Sequence, residues 1–537
     1  MDISYLLRQP FGTGSRIDPS RVAVSFGADQ KLSYSELAQK SYSLARELIG
    51  LGIAPGDRIA LMMFNSLEYW MSYFAVTRIG AIVVRVNFRL SADELEFVLN
   101  DSGAVLAIAD QELLDRIADR RTDIGVRIYV STSPVTLDSD HYLGTLMGSS
   151  SGNGLAEAIV DDLTISNPGS DDLAMIMYTS GTTGRPKGAM WTHANTMWFT
   201  AMQAMEWGFT QDTVIFVAGP LYHVGALEDY SLPTLLAGGE VVFLPSGAFD
   251  ISMALSIASQ RRVTDLTLFP SMIYQMLQLD DLDTFDLSTV RRIFTGGDPL
   301  LGWAVEQIQV RFPGVDVVQV YGLTEGTPVV ACGGTGMAFL DPGSVGRPLP
   351  LCEISIRDDE GLELADGDRG EIWTRSPANS LGYWQLPAAT ADTFVDGWCK
   401  TGDYGVVDGG ALSVTGRKKD MIRSGGENIY AREVEDVLMR HPAVTDAAVI
   451  AVPDAKFTEA VCAVLVTGSG MEVSSIEIVE YCSAHLASYK KPKYVEFVVA
   501  LPRTASQKIQ KFKLREQFAH LGEQLPNSEL DTENPIK

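Results

Sequence analysis

The repeated alternation of short apolar runs with amphipathic stretches is the feature that most constrains this chain. Runs rich in Val, Ile, Ala and Phe recur at 21–27, 58–64, 81–87, 105–110, 214–219, 240–245, 266–270, 291–297 and 317–322. They are too short for helices and read as buried strands. Between them lie stretches with helical spacing of apolar residues, such as 31–53 and 66–80. In the first of these, Ser33 or Ser35 is the expected N-cap and Gly50 or Gly52 the stop. Parallel strands need a long crossover, which a helix supplies, so the rhythm predicts an α/β fold with parallel strands.

The texture changes near residue 350. Short strands and Gly/Asp turns take over, as in GEIWTRS and GWCKTGDYGVVDGGALSVTG, and predict a β-rich subdomain. A basic, glycine-bounded run follows at 416–426, then ENIYAREVEDVLMRH, which reads as a capped helix, and a strand at 447–453. With 537 residues the chain exceeds one ordinary core. The expected division is a large N-terminal domain of α/β layers plus the β-rich part (1–415), then a small α+β C-terminal domain from about 416. Residues from about 521 are polar and are expected to fray.

Charge excludes several partners. Acidic residues number 68 against 42 basic ones, a net charge of −26. Phosphate backbones and anionic lipid surfaces repel such a protein, so nucleic acid is not an expected partner. An anionic substrate would need cations concentrated locally. The five cysteines are dispersed, with no C-x-x-C pair, which indicates neither a disulfide framework nor a zinc site. No apolar stretch is long enough to span a bilayer; the best, 74–86, is broken by Arg78 and Arg85. The N-terminus lacks the pattern of a secretory signal, and a cytoplasmic location is expected.

The segment with the most chemistry is YTSGTTGRPKG at 178–188, which follows the apolar run LAMIMY. Its glycines let backbone N–H groups converge on phosphate oxygens, its hydroxyls add donors, and Lys187 adds charge. The spacing departs from the Walker pattern, because the glycines before Lys187 are Gly181 and Gly184.

This loop resembles the phosphate-binding loop of the adenylate-forming (AMP-binding) superfamily, which includes acyl- and aryl-CoA ligases, firefly luciferase and peptide-synthetase adenylation domains. Further matching segments follow in the family's order: LYHVGA (221–226), FTGGDPL (294–300), VYGLTE (320–325), KTGDYG (400–405), GRKKDMIRSGGENIY (416–430) and LPRTASQK (501–508). The resemblance implies an AMP-forming acyl-CoA synthetase that uses ATP, Mg²⁺ and coenzyme A. Thr179, Ser180, Gly181, Thr182, Thr183, Gly184 and Lys187 would cradle the phosphates. Glu325 would hold Mg²⁺ and Thr324 the α-phosphate, while Tyr321, beside Gly322, would stack on adenine. Gly297, Asp298 and Pro299 would line the adenine pocket, although many relatives carry a small residue or Glu at the Asp298 position. Asp403 and Arg417 would bind the ribose.

The same resemblance implies that Lys508 bridges the attacking carboxylate and the α-phosphate, with Gln507 standing where most relatives have Gly. His223 would position the carboxylate. The segment 416–420 would be a hinge turning at Lys419, making 421–537 a mobile domain. After rotation Gly425 and Gly426 would face the pantetheine arm. Ala431 replaces a proline common in relatives, which would loosen that turn slightly. A homodimer is an expectation at family level.

The implied reaction joins a carboxylate to AMP with release of pyrophosphate, then passes the acyl group to coenzyme A. Family positions put His223, Val224, Gly225, Phe269, Phe294, Thr295 and Val320 around the acid. These are mostly apolar, so a hydrophobic acid is expected, a medium- or long-chain fatty acid first and an aryl or polycyclic acid second. Loading a free-standing carrier protein is a further alternative; the stretch after His520 is too short for a fused carrier domain. A luciferase-like oxygenase and a nucleotide-binding regulator without turnover are the remaining readings. Retention of Lys187, Glu325, Asp403 and Lys508 speaks against the regulator.

Overall fold

The computed structural model describes residues 1–12, 14–134, 140–148, 168–179, 185–247, 249–298, 300–336, 344–424, 427–454, 456–468, 471, 473–503 and 509–523. The chain divides into two compact units. The first takes the described residues of Met1–Leu340, Ser344–Ser355 and Trp373–Thr401; the second takes those of Ile356–Ile372 and Gly402–Lys537.

The first unit holds two sheets. One runs in the order His141–Tyr142, Ile128–Ser131, Leu106–Ala109, Arg58–Met62, Ile82–Arg85, Leu173–Thr179 and Lys187–Thr192. Every pairing is parallel except the last, which closes an antiparallel hairpin with Thr179 opposite Lys187. In the other sheet Val22–Phe26, Glu240–Phe243, Val214–Val217, Asp265–Thr267, Arg292–Gly296 and Asp316–Tyr321 lie side by side in parallel. The antiparallel strands Gln30–Ser33 and Ala331–Gly333 flank this run. The α/β reading of the alternating runs therefore holds. Strand sides that carry Phe216, Leu266, Ile293 and Val317 pack against the helices Ile251–Gln260, Pro270–Leu277 and Gly302–Arg311 in one apolar cluster.

Local signals set the element ends. Ser33 caps the helix Tyr34–Gly50 through a capping box with Glu36, and Gly52 follows with φ +86°. The helix His193–Trp207 starts on an equivalent Thr192–Asn195 box and stops at the left-handed Gly208. Each box satisfies amides that the first helical turn leaves without partners.

In the second unit Val444–Asp454 and Thr458–Thr467 form a long antiparallel pair, with Tyr494–Phe497 parallel to the latter. One face packs on the helices Ala431–Leu438 and Ser475–His485, and the other face on Lys511–Phe518. The helix read from ENIYAREVEDVLMRH begins only at Ala431. Glu427–Tyr430 is instead a strand paired with Met421–Ser424, because that hairpin buries Ile422 opposite Ile429. Asp403 and Arg417 are register partners in the neighbouring antiparallel ribbon. The ribbon's residues from Gly402 onward cluster with the second unit.

Candidate active site

The carboxyl ends of the parallel strands gather the first group of residues, where open α/β sheets leave a crevice for ligands. Thr179 ends one strand of the hairpin and Lys187 begins the other. The Thr179 hydroxyl donates to Glu325 Oε1 at 2.8 Å, joining the Thr179–Lys187 hairpin to the segment after Asp316–Tyr321. The Tyr383 hydroxyl donates to the same oxygen at 3.3 Å, and Lys187 Nζ stands 4.9 Å from the Tyr383 ring centroid. Two further contacts fix the 324–325 backbone. Trp191 Nε1 donates to the Thr324 carbonyl at 3.1 Å, and the Ser380 amide donates to the Glu325 carbonyl at 3.1 Å. Gly322 is required by close approach, since a Cβ there would lie 2.2 Å from the Pro328 carbonyl oxygen.

One strand over, Gly296 sits opposite Val320, and a Cβ at Gly296 would lie 2.6 Å from the Val320 side chain. Gly297 follows with φ +86°, turning the chain toward Asp298. Tyr321 is half-buried at the end of its strand. Phe294 is fully buried, 4.6 Å from Trp207 and 5.2 Å from Tyr230 between ring centroids. Trp207 and Tyr230 themselves stack at 5.4 Å. Thr295 is buried; Phe269 and Val320 are half-buried.

His223 caps a short turn, its Nδ1 accepting from the Gly225 amide at 3.1 Å. That bond requires an unprotonated Nδ1, so a neutral ring carries its proton on Nε2. The turn before it is held from the other sheet. Asn65 accepts from the Leu221 amide at 2.7 Å and donates to the Gly219 and Leu244 carbonyls at 3.1 Å each. Arg85 donates to the Leu221 carbonyl and to Glu228, both side chains being fully buried. Burial pushes the Glu228 carboxyl above its ordinary range and Arg85 pulls it back. Arg85 is thus spent on this pair and this carbonyl.

The second unit carries another group. Arg417 Nε lies 3.3 Å from Asp403 Oδ1; Asp403 is buried, whereas the Arg417 side chain is exposed. Lys418 pairs with Asp359 at 2.8 Å and Glu371 at 3.4 Å, and Asp420 pairs with Arg515. Lys419 lies between those two anchored residues. Burial and the neighbouring Arg417 lower its pKa.

Of the residues singled out in the sequence, Thr179 bonds Glu325 and pairs in register with Lys187, with Thr324 next to Glu325 in the chain. Asp403 and Arg417 meet each other. Ser180, Gly181, Thr182, Thr183, Gly184, Pro299, Gly425, Gly426 and Lys508 lie outside the described residues. Sequence reasoning missed Tyr383, Asn65 and Arg85. The signal for Tyr383 was the Gly382-Tyr383-Trp384 step: Gly382 has φ +120°, and Tyr383 bridges to Ala189 on the loop hairpin. Among the described residues no cluster of three or more His, Cys, Asp or Glu could hold a metal, and no helix is long and apolar enough to cross a membrane.

Two largely parallel sheets, one ending in Thr179 and Lys187 and the other leading into Glu325, define an α/β protein with a polar strand-end crevice. The sequence model of the AMP-binding enzyme family matches residues 14–384, and that of the AMP-binding enzyme C-terminal domain matches residues 433–508. The chain belongs to the AMP-binding enzyme family, as an AMP-forming acid–CoA ligase. It is 37% identical to a feruloyl-CoA synthase of Amycolatopsis sp., over 94% of this chain and 97% of that protein. It is 34% identical to the long-chain-fatty-acid–CoA ligase FadD13 of Mycobacterium tuberculosis, over 96% and 99%. The crystal structure of ATP-bound MatB from Rhodopseudomonas palustris superposes with a TM-score of 0.86 at 31% identity, covering 97% of this chain and all of that one.

Proposed function

We propose that this ligase activates an aromatic carboxylic acid as its acyl-AMP and passes the acyl group to coenzyme A. The observation that carries the nucleotide half is the junction of Thr179, Glu325 and Lys187 at one strand-end crevice. A carboxylate is already a nucleophile, so the first half needs no general base. It attacks the α-phosphorus of ATP, the new O–P bond forms, and the bond to pyrophosphate breaks. Two anions must meet, so catalysis is mainly positioning and charge compensation. Lys187 and the 180–184 loop would take the phosphates, with Thr324 at the α-phosphate and Lys508 bridging it to the acid. Tyr321 would face adenine along the Gly297–Pro299 edge, and Asp403 with Arg417 would take the ribose. His223 would donate from Nε2 to the carboxylate.

A carboxylate with a hydroxyl 2.8 Å away is an all-oxygen donor set of the kind Mg²⁺ prefers, so Glu325 with Thr179 fits that ion. When bound there, Mg²⁺ would offset charge on the phosphate oxygens. In the second half the coenzyme A thiol attacks the acyl carbon and AMP leaves. The 1–415 and 421–537 segments would change their arrangement about 416–420, withdrawing Lys508 and presenting Gly425 and Gly426 to the thiol arm.

For the acid, Phe294 at its family position is buried against Trp207 and Tyr230, which would leave little room on that side for a long flexible chain. This reverses the order expected from apolar lining alone. Similarity to the feruloyl-CoA synthase supports the aromatic reading, and similarity to FadD13 supports a fatty acid as the second. Acid-dependent AMP release with coenzyme A, measured across benzoic, cinnamic and C4–C18 fatty acids, tests this. The highest kcat/KM is expected in an aromatic series; a maximum among long-chain acids would overturn the acid assignment.

A further inference from the structure

Tyr383 touches both charged groups of the crevice, yet it lies in none of the segments that drew attention in the sequence. Its ring faces the Lys187 ammonium and its hydroxyl donates to the Glu325 carboxylate, so the side chain stands between a cation and an anion. Among the described residues neither Lys187 nor Glu325 belongs to an ion pair. A lysine and a glutamate flanking one crevice would otherwise be drawn together by Coulomb attraction, which strengthens as water is excluded. A phenol suits the intermediate position. Its π face carries partial negative charge for the ammonium, and its O–H carries partial positive charge for the carboxylate.

The backbone pre-sets this ring. Gly382 has φ +120°, and a Cβ there would lie 2.2 Å from Thr390. The Tyr383 amide donates to the Thr390 hydroxyl at 2.9 Å, and Tyr383 bridges to Ala189 of the loop hairpin. Tyr383 as a whole is 7% exposed.

We infer that Tyr383 is a positioning residue that keeps Lys187 and Glu325 apart and aimed, so that one stays available to nucleotide phosphate and the other to the divalent cation. The inference rests on the roles given to Lys187 and Glu325 above. Tyr383→Phe keeps the ring and removes the hydroxyl; Tyr383→Leu removes both. In the leucine variant Lys187 is free to pair with Glu325, and that pair must break before nucleotide binds.

The test is equilibrium binding of ATP by calorimetry, first in EDTA and then across a Mg²⁺ titration, with steady-state adenylation alongside. Tyr383→Leu should weaken ATP binding in EDTA about 3- to 10-fold, the size of a partly buried cation–π contact. Tyr383→Phe should bind ATP in EDTA within two-fold of wild type, yet need several-fold more Mg²⁺ for half-maximal tightening. If both variants keep wild-type ATP affinity and Mg²⁺ dependence while only kcat or thermal stability falls, the residue is merely structural and the inference is wrong. Wild type is the control for the underlying reading. If it forms no acyl-AMP, the proposed function fails, whereas wild-type turnover without the split between variants overturns this inference alone.

Discussion

The Thr179 hydroxyl lies 2.8 Å from the Glu325 carboxylate across 146 residues of sequence. That contact ties the Thr179–Lys187 hairpin of one sheet to the segment that follows a strand, Asp316–Tyr321, of the other. It makes the crevice a product of two sheets, so neither motif alone defines it.

Glu325→Gln keeps an acceptor for Thr179 but loses the charge. Adenylation should fall on the order of 100-fold, as when one fixed electrostatic group is removed from a reacting centre. Thr179→Val keeps the charge and should cost less, about 10-fold. Acid-dependent ATP–pyrophosphate exchange measures both; equal rates in wild type and Glu325→Gln would remove Glu325 from its role.

The strand–helix rhythm made the parallel sheets legible, because buried strands need mostly apolar runs and the chain supplies them at 58–64, 81–87 and 317–322. The caps at Ser33 and Gly52 were legible for the same local reason. The short strand Glu427–Tyr430 was not. Its helix-forming neighbours Ala431–Leu438 dominate the local pattern, and only pairing with Met421–Ser424 overrides it. Within the site, Lys187 and Glu325 were legible as motif residues. Tyr383 was not, since its role depends on a distant hairpin that places its ring beside them. Asn65 and Arg85 were hidden likewise: each acts on the Leu221 turn from about 140 to 160 positions away.

The buried Arg85–Glu228 pair yields a stability prediction. Arg85→Met leaves a desolvated carboxylate without its partner and should cost about 3–5 kcal/mol. Adding Glu228→Leu removes that charge and should recover most of the loss. Denaturant unfolding of both variants checks this. A double variant no more stable than Arg85→Met would mean that the pair is needed to hold the Leu221 turn itself.

His193 makes stability depend on pH. Its Nδ1 accepts from the Ile3 amide at 3.2 Å, and burial lowers its pKa from 6.5 to about 4 against the opposing pull of Asp2 and Asp172. Between those values the unfolded chain binds a proton that the folded one refuses, so stability falls as pH drops from 6.5 toward about 4. The full effect is roughly 3 kcal/mol. His193→Gln should flatten that part of the Tm–pH curve; an unchanged slope would place the acid sensitivity elsewhere.

Lys418 is anchored to Asp359 and Glu371 while Asp420 is anchored to Arg515, with Lys419 between. In the proposed rearrangement about 416–420, a bond rotation at Lys419 would turn the chain after it against the chain before it. Lys419→Pro, which fixes φ, should leave adenylation within a few-fold and slow thioester formation by at least 100-fold. Single-turnover measurement of each half-reaction checks this. Equal slowing of both would remove the hinge from this residue.

The most direct measurement is mass-spectrometric detection of acyl-AMP after a single turnover with ATP, Mg²⁺ and an aromatic acid, with coenzyme A withheld. Wild type should accumulate acyl-AMP near one equivalent per site and convert it to thioester when coenzyme A is added. Lys508→Ala should accumulate almost none, yet still convert supplied acyl-AMP to thioester. Absence of acyl-AMP from wild type with every aromatic and fatty acid tried would contradict the account.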